Sequence, residues 1–229
     1  MKDFFPDPDT ADPNGLVAVS RFMSPELVLE AYRRGIFPWS SEPVRWYSPD
    51  SRAIFVRESI HIPKKLRKEM RANTYRVTFD ICFEDVMRAC AAQHASAGVW
   101  ITTTFIRTYA KLHQSGHAHS VEVWRNDELV GGLYGIQQHG LFAGESMFHK
   151  VSNASKIAFA HLVRHLDTIG CPLIDAQVIN DHTRSLGAVV VRRADYLLLL
   201  KQALLLRTPY DEKKWPSTSP HWDAHSWPY

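Results

Sequence analysis

The chain has 229 residues, of which 45% are hydrophobic and 22% are charged, and its formal net charge is +3. This length suits one or two domains with a buried core, and the composition is that of an ordinary soluble protein. The longest apolar stretches, at 197–200 and 203–206, are too short to span a membrane. The small net charge does not by itself indicate a nucleic-acid partner. Evidence for such a partner must come from local clusters of basic residues.

Three sequence features indicate where the protein is located and whether it binds a metal or cofactor. Residues 1–15 contain four Asp and three Pro and lack the apolar segment of a signal peptide, so we expect a cytoplasmic protein. The three cysteines have no CxxC spacing, which predicts reduced thiols. His161 and His165 are four residues apart, but Leu162 stands where a metalloprotease motif requires Glu. We therefore expect no metal and no cofactor.

A small N-terminal domain is predicted over residues 1–60. Ser24 and Pro25 are a helix cap and a first-turn proline, and the helix that they begin is predicted to end near Gly35. The remaining predicted elements of this domain are two strands, at 44–47 and 53–56, joined by a turn at 48–50.

A larger domain is predicted over residues 61–229, from apolar periodicity and from turn residues between the periodic segments. The order hairpin, strand, helix, strand, helix resembles the acetyltransferase-like (GNAT) fold, so the predicted class is α+β with a mixed sheet. The predicted elements are a helix at 64–71, a strand at 75–79, helices at 83–92 and 103–115, a hairpin at 119–134, a strand at 141–148, a helix at 153–167, a strand at 173–179 and helices at 181–187 and 194–206.

Four segments carry a closer resemblance: AYRRGIFPW at 31–39, WYSPD at 46–50, GESMF at 144–148 and LIDAQVINDH at 173–182. Shorter segments at 100–102 and 116–124 add to them. In this order and spacing they resemble the leucyl/phenylalanyl-tRNA–protein transferases, over residues 13 to 196. The family usually has Gly-Gly-Asp-Leu where this chain has Ser-Arg-Phe-Met, at 20–23. The resemblance implies transfer of Leu or Phe, with Met as a further donor, from aminoacyl-tRNA to proteins that begin with Lys or Arg, which marks them for degradation.

Such a transferase needs neither ATP nor metal, because an aminoacyl ester is already activated. It must hold a neutral α-amine, whose pKa is about 8, against the ester and accept its proton. The resemblance implies that Asp175 and Gln177 handle that proton and that Glu145 lies in the active site. Because a carboxylate of pKa near 4 is a poor base, we expect Asp175 to act through Gln177, with the substrate ribose hydroxyl sharing the transfer. Two alternatives stay open: Asp175 as a helix cap or surface ion pair, and Glu145 as a structural ion pair.

The resemblance also implies a set of substrate-binding residues. Aromatic side chains stack on unpaired bases, which suits the terminal adenosine of tRNA, and apolar side chains suit the wall around Leu or Phe. The alternative for each of them is ordinary core packing. The stacking candidates are Trp39, Trp100 and Tyr109, the wall candidates are Leu133, Phe142, Met147 and Phe148, and Ser146 and Asn180 complete the substrate-binding set.

One cluster of basic residues supports an RNA partner. On the predicted helix at 64–71, four of five basic residues follow the spacing i, i+3, i+4, i+7 and therefore share one face. We expect this face to bind the phosphates of the acceptor stem, and a solvated helix surface is the alternative. The five residues are Lys64, Lys65, Arg67, Lys68 and Arg71.

Two rival functions remain from the sequence. An acyl-CoA-dependent acetyltransferase needs an R/Q-x-x-G-x-G/A loop at the start of a helix, and the nearest match, at 184–189, fails at its last position. A non-catalytic RNA-binding module predicts that loss of Asp175 and Gln177 has no effect on any activity. The transferase is predicted to lose rate while it keeps its tRNA affinity.

Overall fold

The computed structural model describes residues 4–40, 42–72, 74–94 and 100–218. The outer ends of the two predicted domains, 1–3 and 219–229, lie outside the described residues. Within the described ranges, none of the helices combines the length and the apolar character that a membrane crossing requires.

The N-terminal region is a three-stranded antiparallel sheet with one helix. Its helix begins as the sequence predicts, because the Ser24 hydroxyl accepts a hydrogen bond from the backbone N–H of Leu27. Just beyond its last turn, Gly35 adopts a φ of +74°, which favours glycine. The order in the sheet is β1-β3-β2. The elements are β1 (Leu16–Ser20), α1 (Pro25–Arg33), β2 (Phe37–Pro38) and β3 (Val44–Tyr47).

The rest of the chain is built on a seven-stranded mixed sheet of order β10-β4-β9-β8-β7-β6-β5. Its neighbouring strands are antiparallel except for β8 and β9, which run parallel. The predicted α+β class with a mixed sheet is thereby confirmed. The strands are β4 (Ser51–Phe55), β5 (Arg76–Phe79), β6 (Ala118–Arg125), β7 (Glu128–Gln138), β8 (Leu141–His149), β9 (Leu173–Gln177) and β10 (Val189–Arg192).

Helices cover both faces of this sheet, and each face buries its own apolar cluster. Helix α5 packs on β6, β7 and β8 together with α2, while α3 lies on the opposite face with α1 and α4. The N-terminal helix therefore shares a core with the large sheet. The helices are α2 (Lys64–Arg71), α3 (Phe83–His94), α4 (Thr103–Gln114), α5 (Ala154–Thr168), α6 (Asp181–Ser185) and α7 (Arg193–Ala203).

The structure corrects the predicted boundary region. The segment 53–56 was expected to belong to the N-terminal domain, but β4 hydrogen-bonds between β10 and β9 in the large sheet. The two-domain division stays a prediction, and the sheets favour a boundary near residue 50 over one at 60. The strand predicted at 173–179 is also too long, since β9 ends at Gln177.

Candidate active site

A cavity of about 410 Å³ opens where the parallel strands β8 and β9 face α5 and the N-terminal region. This volume falls in the range of small-molecule sites. One wall is apolar, and Glu145, Asp175 and Gln177 line another part. The apolar side chains come from the large sheet and from α5: Phe55, Leu133, Met147, Phe159, Leu162 and Ile174.

Asp175 is fully buried and is held in place by Arg52, which is 1% exposed. The guanidinium donates two hydrogen bonds to the carboxylate, from Nε at 2.9 Å and from Nη2 at 2.6 Å. The Tyr196 hydroxyl donates a third at 2.8 Å. Although burial disfavours the charged guanidinium, the Asp175 carboxylate raises the pKa of Arg52 above its ordinary value. Both charges are therefore paired, as burial requires.

Gln177 is the last residue of β9, and its backbone is in the left-handed conformation, with a φ of +61°. The N–H of Val178 bonds to the carbonyl of Ala176 at 2.6 Å, which closes a tight three-residue turn around it. The fourth hydrogen bond to the Asp175 carboxylate comes from the backbone N–H of Gln177, at 2.8 Å. Asp175 thus holds this uncommon backbone conformation, and strain of this kind is typical of functional sites.

The Gln177 side chain joins a buried group that includes Tyr32 of α1 and Glu145 of β8. Its amide Nε2 donates to the Tyr32 hydroxyl at 3.2 Å and to Glu145 Oε1 at 3.4 Å. The Tyr32 hydroxyl donates to the same carboxylate oxygen. Because Nε2 points to these two groups, the amide oxygen is available to accept a hydrogen bond from a molecule in the cavity.

Burial raises the pKa of the Glu145 carboxyl to about 8, and the hydrogen bond from Tyr32 opposes this while the charge of Asp175 adds to it. The hydroxyls of Tyr109 and Tyr134 are also buried: that of Tyr109 lies close to Tyr32 and Glu145, and that of Tyr134 has no hydrogen-bond partner among the described residues. Both lie near enough for the Glu145 charge to contribute to the raised pKa of each phenol, after burial itself. Glu145 is therefore a carboxylate that titrates close to neutral pH.

A bulge in β8 turns Glu145 toward this group. The pairing between β7 and β8 shifts between Tyr134 and Gly135, where Ser146 and Gly144 are the respective partners. Glu145 is the residue left over, and such an extra residue changes which face the following side chains occupy. Met147 consequently faces the α5 side, whereas Phe148 packs in the cluster on the opposite face.

Two tryptophans flank the cavity. Trp39 is 45% exposed and meets Tyr47 edge-on, with ring centroids 5.6 Å apart. Trp100 is half-buried and packs edge-on against Phe105 at 5.4 Å. Each tryptophan thus lies beside the cavity against a neighbouring aromatic ring, and indole rings can stack on a flat base.

Most predicted substrate-binding residues line the cavity, but three do not. Six of them are on its wall: Trp39, Trp100, Leu133, Ser146, Met147 and Asn180. Asn180 also caps α6 through its side-chain oxygen. The three that do not line it pack in the core: Tyr109 stacks on Phe105, Phe142 packs against Trp215, and Phe148 lies on the opposite face of the sheet. Their roles in substrate binding stay predictions.

Comparison with known proteins identifies the family. The family model described as leucyl/phenylalanyl-tRNA protein transferase matches residues 54–201, and the model for the N-terminal domain of that transferase matches residues 23–50. The chain belongs to this family. The family expected from the four sequence segments is thereby confirmed.

Curated relatives agree with this assignment. A leucyl/phenylalanyl-tRNA–protein transferase of Shewanella baltica (strain OS155) is 47% identical over 216 residues, which are 92% of this chain and 90% of the relative. One of Shigella dysenteriae serotype 1 is 48% identical over 209 residues, 90% and 89% of the two chains. Among solved structures, the C-terminal DUF2156 domain of an Agrobacterium fabrum protein matches with a TM-score of 0.41 and 12% identity, over 82% of this chain and 72% of that one.

The basic face of α2 in this transferase family member is largely solvent-exposed. Leu66 and Met70 are buried against the large sheet, and Glu69 accepts a hydrogen bond from Asn153, next to α5. Arg67 is half-buried, and the other four predicted basic residues are exposed: Lys64, Lys65, Lys68 and Arg71. The helix thus presents positive charge beside the helix that lines the cavity.

Sequence reasoning missed the partners that position the site. Arg52, Tyr32 and Tyr196 were not among the candidates. The sequence does contain a signal for Arg52. It is a lone charged residue next to the apolar residues 53–55 of a strand, and such a residue, if buried, needs a partner of opposite charge. Within the described ranges, no group of three or more His, Cys, Asp or Glu side chains could hold a metal ion.

Proposed function

We propose that this protein transfers Leu, Phe or Met from aminoacyl-tRNA to the α-amine of a protein that begins with Lys or Arg, in the cytoplasm, and so marks that protein for degradation. The observation that carries the proposal is the hydrogen-bonded group of Gln177, Tyr32 and Glu145, placed in a cavity with an apolar wall and two flanking tryptophans. Family membership supports the same reaction class.

The donor fits the cavity in two parts. An apolar aminoacyl side chain would lie against Leu133 and Met147, where a charged side chain would lose its hydration without a partner. The terminal adenine would stack on Trp39 or Trp100, a contact worth about 1–3 kcal/mol per base. The ester between these parts is thereby brought beside Gln177.

In the proposed reaction the amine nitrogen attacks the ester carbonyl, the carbon–oxygen bond to the ribose breaks, and one proton moves from the amine to the ribose oxygen. The Gln177 amide oxygen accepts a hydrogen bond from the amine and directs its lone pair to the carbonyl carbon. Glu145, with a pKa of about 8, takes the amine proton and returns it to the leaving ribose oxygen. The net result is an amide bond and a free ribose hydroxyl.

Asp175 has a different role in this proposal. Its carboxylate already accepts four hydrogen bonds, from Arg52, Tyr196 and the Gln177 backbone, so it is not free to receive the proton. It is a positioning residue that holds Gln177. Among the described residues lining the cavity, Glu145 is the carboxylate without an arginine partner, and it is therefore also the candidate to meet a basic acceptor side chain.

The experiment uses tRNA charged with labelled Leu, Phe or Met and three peptides that differ only in their first residue, Arg, Lys or Ala. We expect label on the first two peptides and none on the third. Label on no peptide, or transfer from acetyl-CoA in place of the charged tRNAs, would contradict the proposal and favour an acetyltransferase.

A variant separates catalysis from RNA binding. Gln177→Ala should reduce the transfer rate at least about a hundredfold, the scale of a lost orienting group, while tRNA affinity stays within about twofold. Gln202→Ala, at an exposed position of α7, is the matched control. An unchanged rate in Gln177→Ala would support the RNA-binding module instead.

A further inference from the structure

Several basic and polar side chains line the cavity without belonging to the hydrogen-bonded group around Glu145. Ser155, His149 and His182 all line the cavity, and they come from α5, the end of β8 and α6. Lys156 follows Ser155 in the first turn of α5. None of these residues takes part in the proposed chemistry.

The first turn of α5 has no side-chain cap. Asn153 precedes the helix, but its side chain makes no capping bond and instead donates to Glu69 at 2.9 Å. Ser155, just inside the helix, is 3% exposed, lines the cavity, and makes no hydrogen bond to another described residue through its hydroxyl. A fifteen-residue helix with free N–H groups at its start favours an anion at that place.

The basic side chains are close to one another. Burial lowers the pKa of His182, and the neighbouring charges of Lys156 and then His149 lower it further. The His182 ring is fixed by Met147, whose sulfur lies 2.8 Å from Nε2. His149 is fixed through its backbone N–H, which donates to Gln93 at 2.8 Å. Lys156 therefore supplies a positive charge beside the His182 ring, and this charge would attract an anion.

We propose that Ser155, Lys156 and His182, with the first turn of α5, bind a backbone phosphate at the 3′ end of the donor RNA. This inference rests on the proposed function. The ribose that carries the aminoacyl ester also carries the 5′ phosphate of the same nucleotide. A donor seated with its ester beside Gln177 therefore presents this phosphate to another part of the same cavity. Hydrogen bonds from charged groups to phosphate are among the strong ones, and they fix the register of the nucleotide.

The test is a binding measurement that needs no turnover. Adenosine, 5′-AMP and inorganic phosphate are titrated calorimetrically into the wild type and the Lys156→Ala/His182→Gln double variant. We expect the wild type to bind 5′-AMP about tenfold more tightly than adenosine, as one charge-assisted contact provides. The double variant should bind the two within about twofold, and Lys156→Arg should keep most of the difference. Lys201→Ala, exposed on α7, is the control.

Three outcomes would overturn the inference: equal binding of 5′-AMP and adenosine by the wild type, an undiminished difference in the double variant, or inorganic phosphate binding as tightly as 5′-AMP. The last would indicate a site for free phosphate. A parallel transfer assay compares 3′-phenylalanyl-adenosine with its 5′-phosphorylated form, and the KM advantage of the phosphate should disappear in the double variant. Absence of transfer from either donor would count against the proposed function. The calorimetric result would still test the phosphate site, because it does not depend on turnover.

Discussion

The pair of Arg52 and Asp175 gives the sharpest stability prediction. Asp175→Asn leaves the Arg52 guanidinium, which is 1% exposed, without its counter-charge, and Arg52→Met leaves a fully buried carboxylate without one. Breaking a buried ion pair by removing one partner costs about 3–5 kcal/mol. Each single variant should therefore lose that much of its free energy of unfolding, a large part of the 5–15 kcal/mol or so of a typical domain.

The double variant Arg52→Met/Asp175→Asn contains no unpaired charge, so its cost should be smaller than the sum of the two singles by at least about 2 kcal/mol. In addition, the asparagine introduced by Asp175→Asn keeps an oxygen that can accept from the Gln177 N–H. The measurement is urea denaturation of all four proteins at neutral pH. The matched control is the same cycle on the exposed pair of Arg192 and Asp195, where solvent screening should leave the costs of the two substitutions nearly additive. Additive costs at the buried pair, or single costs below about 1 kcal/mol, would refute the reasoning.

Three further predictions concern pH and salt. If Glu145 must be ionised and the acceptor amine must be neutral, two protons are lost before reaction, so the logarithm of kcat/KM should rise with a slope near two below about pH 8 in the wild type and near one in Glu145→Gln. Equal slopes would contradict the base role. Burial raises the pKa of Glu122 to about 7, so the unfolded chain loses this proton at a lower pH than the folded protein does, and the free energy of unfolding falls as pH rises through that value. Glu122→Gln should weaken this fall, as measured by urea denaturation at several pH values. An unchanged pH dependence would argue against the role of Glu122. Lys68→Ala should reduce the salt dependence of tRNA binding by about one phosphate contact, with Lys201→Ala as control, and an unaltered slope would place the RNA elsewhere.

Elements with local signals were predictable from the sequence. Helix α2 occupies the predicted residues, 64–71, and α1 starts at the predicted cap, because Ser24, Pro25 and Gly35 act on their immediate neighbours. The strands β1, β2 and β10 were missed. They are two to five residues long. β1 and β10 are each stabilised by a partner distant in sequence, which no short window contains, and β2 has only two residues.

The pairing of Asp175 with Gln177 was predictable from the sequence, but the contacts that orient these two side chains were not. The sequence brings Asp175 and Gln177 together by strand alternation, but the left-handed turn at Gln177 depends on a carboxylate fixed by Arg52, 123 positions away. Tyr32 and Glu145 are likewise 113 positions apart. The bulge in β8 decides which of the residues after Glu145 reach the cavity, and it follows from pairing with β7 rather than from the sequence of β8 alone.

In the proposed complex the aminoacyl ester lies in this cavity with its carbonyl beside Gln177. The most direct measurement is a crystal structure with 3′-phenylalanylamino-adenosine, in which an amide replaces the reactive ester. We expect the phenyl ring against Leu133 and Met147, the adenine on Trp39 or Trp100, and the α-carbonyl within hydrogen-bonding reach of the Gln177 side chain. Binding of the ligand at any other surface, with the cavity left open, would contradict it.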